Sequence, residues 1–147
     1  MQIRPYQPED QAQVIVLWQA CGLTRPWNDP ATDIDFCVNS PTASLLVGCE
    51  SPQGAIVASA MVGHDGHRGW VYYVAVHPSQ QGSGLGARLM KEAEAWLTER
   101  GVPKLQLMVR DSNAQARGFY ERLGYKTEPV VTLSRWLRKP AVEPDGH

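Results

Sequence analysis

The chain has 147 residues, with 14 basic and 15 acidic side chains and a net charge of -1. That length suits one domain with a real core and is too short for two. Balanced charge provides no field to draw the protein to nucleic acid or an anionic lipid surface, so neither partner is expected.

Cys21, Cys37 and Cys49 form an odd set without CxxC spacing, which argues against a disulfide framework and a structural zinc site. The N-terminus is polar and acidic, and no apolar window reaches membrane-spanning length, so a cytoplasmic protein is expected.

Residues 1–6 read as a first strand, and "PEDQAQVIVLWQACG" follows as a helix, with Val14, Leu17, Trp18 and Cys21 at helical spacing and Gly22 as its stop. "LTRPWNDP" is a loop by its two prolines, and "ATDIDFCVNS" a short second helix ended by Ser40-Pro41. "SLLVGCE" and "AIVASAMVGH" are two strands of a hairpin joined by the turn "SPQG". The uncharged run "WVYYVAV" predicts a central strand covered on both faces. Leu85, Leu89, Ala93, Trp96 and Leu97 share one face of a long helix that stops at Gly101. "KLQLMVR" is a further strand, "NAQARGFYERLG" a helix, and "YKTEPVVTLSRWLRK" one or two last strands. Residues 1–139 are expected to form one domain and 140–147 a disordered tail. This order describes an α/β chain, a mixed α+β sheet with helices packed on it.

Between the uncharged run and the long helix stands "HPSQQGSGLGA", with Gly82, Gly84 and Gly86 at alternate positions. Glycines tolerate left-handed backbone and are common in plain loops. A glycine turn running into a helix N-terminus also aligns free N–H groups with the positive end of the helix dipole, the arrangement that holds phosphates. A P-loop is excluded, because GxxxxGK[ST] does not occur and no Lys-Ser or Lys-Thr directly follows the glycines. A dinucleotide fingerprint fits Gly82, Gly84 and Ala87, with Asp111 as a distant ribose acid, but "HPSQQ" separates strand from glycine and too little chain follows for a second nucleotide-binding half.

Gln81-Gly82-Ser83-Gly84-Leu85-Gly86 resembles the [QR]xxGx[GA] signature of the GNAT superfamily of N-acetyltransferases. Asn113 to Tyr125, "NAQARGFYERLGY", is similar to its NxxAxxFYxxxGF segment, with Tyr125 for the commoner Phe. The likeness runs from about Ile3 to Leu137 and is nearest to the small bacterial YpeA-type acetyltransferases. It implies a mostly antiparallel sheet, splayed at an acetyl-CoA site, with helices on both faces. It also implies pyrophosphate binding on the N–H groups of Gln81, Gly82, Ser83, Gly84, Leu85, Gly86 and Ala87, and pantetheine lying as an added strand beside Val74, Ala75 and Val76. By the same likeness Tyr120 is the general acid near the CoA sulfur, Asn113 contacts the CoA arm, and Arg25, Trp27, Asn28 and Tyr72 line the acceptor site. The oxyanion donor is a backbone N–H near Val74 to Val76.

The residues themselves leave other readings open. Asn113 also suits an N-cap, Tyr120 a half-buried packing residue, Trp27 a core contact and Trp136 a sheet or dimer residue. His64 and His67 read as turn residues or as an acceptor-side base, without metal geometry. Where relatives place a Glu on the strand before the loop, this chain has Trp70, Val71, Tyr72 and Tyr73. Keeping a lysine-type amine neutral at pH 7 costs about 4 to 5 kcal/mol, so either an ordered water relays the proton or the acceptor is an unusually acidic amine. The expected function is acetyl transfer from acetyl-CoA to a primary amine of a small molecule or peptide by direct attack in a ternary complex, by a monomer or homodimer without metal. The alternative is a non-catalytic acyl-CoA sensor, with a nucleotide-binding redox domain a distant third.

Overall fold

The alternation of small and β-branched residues in 43–64 gives the hairpin at the centre of the fold. In a computed structural model that describes residues 1–142, β2 (Ala43–Cys49) and β3 (Ile56–His64) pair antiparallel, flanked by β1 (Gln2–Pro5) on β2 and β4 (Gly69–Val76) on β3. A two-residue β5 (Leu105–Gln106) adds to β4 in parallel, giving the order β1-β2-β3-β4-β5. The last five residues of the expected tail, 143–147, lie outside the described residues.

Period-two alternation sends neighbouring residues to opposite faces. Leu45, Val47 and Cys49 of β2 join Val14, Leu17 and Trp18 of α1 (Gln11–Ala20) and Ile34 and Cys37 of α2 (Pro30–Val38) in one core. Ala58 and Ala60 of β3 pack with Leu85 and Leu89 of α3 (Leu85–Glu99) in a second. Helices therefore cover both faces. Proline at N1 and the Asp29 side chain, which accepts from the Thr32 N–H at 3.3 Å, start α2. Gly69 opens β4 under α3: a Cβ there would meet the end of the Leu97 side chain at 2.5 Å, so Leu97 packs on bare backbone and would have to shift for any larger residue.

The chain divides into two compact units, the first being Met1–Leu107 with the sheet and α1 to α3. The second begins at Met108 and holds α4 (Ala114–Arg122), capped by Asn113 and followed by Gly124 at φ 97°.

Three expectations need correction. β4 is packed on both faces as expected, Ala75 in the core with α1 and Val74 and Val76 against the core with α3, but it lies next to the end of the sheet rather than at its centre, and Tyr72 is 45% exposed. An apolar run marks a strand for burial between helices but does not say where that strand lies in the sheet order. The strand expected at 104–110 is reduced to Leu105–Gln106, and among the described residues no strand follows it. Val130, Val131, Leu133 and Leu137 stand exposed there. Strand propensity becomes a strand only through ladder pairing, and among the described residues this segment forms no ladder.

Candidate functional site

The glycine loop lies at the head of α3. Gly82 and Gly84 both adopt φ 81°, and Gly84 is the helix N-cap. A Cβ on either would meet nothing within 4 Å, so the left-handed backbone, not crowding, requires glycine. Ser83 is fixed by its N–H and its hydroxyl, both donating to the Gln80 carbonyl. The Arg88 N–H makes the first helical bond to Gly84 O at 3.2 Å, while the N–H groups of Leu85, Gly86 and Ala87 precede any intrahelical acceptor. Gln81 to Gly84 are exposed. The loop thus offers main-chain donors and a positive dipole end to an anion, with open ground in front of the glycines.

β4 leads into this loop. Its pairing with β5 covers only Gly69 and Trp70, so the strand runs on through Val74, Ala75 and Val76 after β5 has left it. On its other side, Ser59 pairs with Ala75 but Met61 pairs with Tyr72, so Tyr73 and Val74 together face Ala60 in a bulge. Tyr73 has φ 50°, a left-handed conformation that bulky side chains avoid. Its ring stacks on Trp18, its hydroxyl donates to Asp33 Oδ2 at 2.6 Å, and its carbonyl accepts from Ser59 Oγ at 2.8 Å. Burial, then Asp33, pushes the Tyr73 hydroxyl well above the ordinary tyrosine range.

In the loop before α2, the Arg25 guanidinium donates to the carbonyls of Gly22 (2.7 Å) and Thr24 (2.9 Å). Trp27 and Asn28 are half-buried, and the Asn28 N–H donates to Arg25 O. Arg25 thus braces its own loop, with its charge still felt at Tyr73. Two acids of the neighbouring helix are engaged: Asp29 caps α2, and Asp33 takes the Tyr73 hydroxyl. Of the two turn histidines, His64 faces Trp96 at 6.3 Å, and His67 donates its N–H to Asp65. Asp65 also accepts from the Arg68 N–H and Trp70 Nε1, and these bonds, the Arg68 one foremost, hold its carboxyl down at about 2. Among the described residues, no group of three or more His, Cys, Asp or Glu side chains could hold a metal, and no helix is long and apolar enough to cross a membrane.

In the second unit, the Asn113 side chain accepts from the Ala116 N–H at 3.0 Å, so it does cap α4. Tyr120 lies in an edge-to-face cluster, 4.9 Å from Phe119 and 5.9 Å from Tyr125. Burial pushes its hydroxyl up to about 12.

The profile of the Acetyltransferase (GNAT) family matches residues 12–125. The chain belongs to that family. As a GNAT acetyltransferase it is 45% identical to an acetyltransferase of Yersinia enterocolitica over 93% of this chain and 96% of that one. The GNAT fold is matched by the aminoglycoside 6'-N-acetyltransferase AAC(6')-Ig of Acinetobacter haemolyticus, with TM-score 0.75 and 17% identity over 93% of this chain and 99% of that one. It is matched too by AAC(6')-Iy in complex with a CoA bisubstrate analogue, with TM-score 0.77 and 14% identity over 92% and 97% of the two chains. GNAT membership makes this chain an N-acetyltransferase, and the five-stranded mixed sheet is the expected architecture.

Sequence reasoning missed Ser59 and the left-handed Tyr73. Both read as ordinary strand residues, because a bulge is a mismatch between two strands and leaves no mark in either alone.

Proposed function

We propose that this chain transfers the acetyl group of acetyl-CoA to a primary amine by direct attack in a ternary complex. One observation carries the reading: β4, which β5 pairs only as far as Trp70, leads through the turn Pro78–Gln80 and the glycine loop to a helix N-terminus whose N-cap, Gly84, is left-handed. An edge strand accepts an extended ligand by main-chain pairing, and a helix N-terminus accepts a diphosphate, in the order that pantetheine and pyrophosphate follow along CoA. The residues present therefore suit the coenzyme, which supplies an activated thioester.

Val74, Ala75 and Val76 pair with the pantetheine arm, and residues 81–87 hold the pyrophosphate. Asn113 contacts the CoA arm as well as capping its helix. A main-chain N–H in the stretch Val74 to Val76 donates to the carbonyl oxygen where negative charge develops. The amine nitrogen bonds to the carbonyl carbon, the C–S bond breaks, and Tyr120 gives the sulfur its proton. Tyr120, whose hydroxyl burial pushes up to about 12, is protonated for this at neutral pH, as any tyrosine is. The proton lost by the amine leaves through ordered water, since β4 carries no carboxylate. Arg25, Trp27, Asn28 and Tyr72 border the acceptor, a small molecule or a peptide amine.

Calorimetry with acetyl-CoA, followed by an acceptor screen reading out free CoA thiol, tests the proposal. Binding with release of thiol on at least one amine supports it; a protein that does not bind acetyl-CoA removes it. Binding without turnover on any amine favours the sensor alternative.

A further inference from the structure

Ser59 is a fully buried polar residue in the middle of β3. Trp18 Nε1 lies 2.9 Å from its Oγ, and the Tyr73 carbonyl 2.8 Å. An indole N–H can only donate, so the serine oxygen accepts from it and its one hydrogen goes to the Tyr73 carbonyl. The direction of that bond follows without any choice of rotamer.

The bond acts on a peptide group inside the bulge, where the register between β3 and β4 shifts. Tyr73 and Val74 face the single residue Ala60, and Tyr73 is the only non-glycine with positive φ among the described residues. A backbone in this conformation persists only where its surroundings over-determine it. Here the carbonyl is held by Ser59, the ring by its stack on Trp18 and the hydroxyl by Asp33. The peptide is trans, so its C=O and N–H point to opposite sides. With the Tyr73 carbonyl turned to Ser59, the Val74 N–H points away from β3, to the flank that β5 leaves after Trp70.

We propose that Ser59 is a positioning residue for acyl transfer: by fixing the Tyr73 carbonyl it aims the Val74 N–H at the thioester carbonyl oxygen. This rests on the reading above, in which acetyl-CoA lies along Val74 to Val76, and it singles out one donor from that stretch and names the side chain that sets its direction. Asp33 and Trp18 anchor the tyrosine side chain, whereas Ser59 bonds the peptide carbonyl itself.

Isotope-edited infrared spectroscopy of acetyl-CoA labelled with carbon-13 at the carbonyl reads this donor directly and needs no acceptor amine. In the wild-type protein the carbonyl band moves to lower wavenumber on binding. Ser59→Ala loses most of that movement, with acetyl-CoA affinity within about threefold of wild type. Leu97→Ala, a core truncation by Gly69 at the other end of β4, lowers Tm but keeps the full movement. Should Ser59→Ala not fold, the near-isosteric Ser59→Cys replaces it, and its weaker donor leaves less than half the movement. Full band movement in the folded serine variant, or equal loss in Leu97→Ala, overturns the assignment while leaving acetyl-CoA binding intact. Absence of acetyl-CoA binding in the wild type overturns the functional reading instead.

Discussion

The phenol ring of Tyr73 lies flat on the indole of Trp18, with 3.7 Å between centroids and 7° between planes. This joins the bulge of β4 to the buried face of α1. Aromatic pairs of this kind contribute about 0.5 to 1.5 kcal/mol beyond the area they bury. A double-mutant cycle of Trp18→Leu and Tyr73→Leu, followed by urea unfolding, should return a coupling energy in that range. Additive losses would mean that the two rings are merely adjacent.

Gly84 is required for its backbone and not for space. Valine there imposes about 1 to 2 kcal/mol of left-handed strain, which the loop relieves by changing its path. Since the proposed phosphate donors lie on that path, the Kd for acetyl-CoA measured by calorimetry should rise about tenfold or more. Gly84→Ala should show a smaller loss. Unchanged affinity in Gly84→Val would mean that the coenzyme is held elsewhere.

Asp10 is 4% exposed and accepts from Arg4 Nη1 at 2.7 Å, Arg4 Nη2 at 3.0 Å and the Gln7 N–H at 2.8 Å. The Arg4 guanidinium, partly offset by burial, holds its carboxyl below the usual range. A carboxylate whose folded pKa is depressed stabilises fully above its unfolded pKa, about 3.9, and loses that contribution as pH falls through the folded value. Asp10→Asn should cost about 2 to 4 kcal/mol at pH 7, because it leaves the half-buried arginine without its counter-charge. Thermal unfolding as a function of pH should show the gap to wild type closing below about pH 4. A gap that stayed constant to pH 2 would place the loss in packing.

Tyr120, the proposed proton donor, has a hydroxyl pushed up to about 12 by burial. Its donating form therefore persists well past the pH where a free tyrosine ionises, so kcat should show no falling limb near pH 10. Tyr120→Phe should lower kcat about 100-fold while acetyl-CoA affinity holds. Retained turnover in the phenylalanine variant would assign the proton to solvent.

The thiols should be chemically quiet. Burial raises the Cys37 thiol to about 11 and also raises Cys21, and Cys37 and Cys49 are buried. Since the thiolate is the reactive form, labelling by a disulfide reagent at pH 7.5 should be slow until denaturant is added. Loss of activity that tracked rapid labelling would point to a covalent cysteine route.

Local rules sufficed for much of this protein. Helical spacing of Val14, Leu17 and Trp18, the short helix after the proline loop, the Pro- and Gly-bracketed hairpin and the glycine run before Leu85 each follow from short-range chemistry, and the structure carries all four, with α2 starting one residue earlier, at Pro30. The two family-like segments, 81–86 and 113–125, were readable for the same reason: the residues of each motif lie close together in the chain. Tertiary structure alone decided where β4 lies in the sheet, how far β5 accompanies it, and that no strand forms among 127–142. It alone brought Ser59, Trp18 and Asp33, from three different elements, around one left-handed tyrosine. Pairing and register are agreements between distant segments, so no window of sequence holds them. The left-handed turn at Tyr73 exists only because partners 14, 40 and 55 residues away compel it, with Ser59 and Asp33 at the first two separations and Trp18 on its ring at the last.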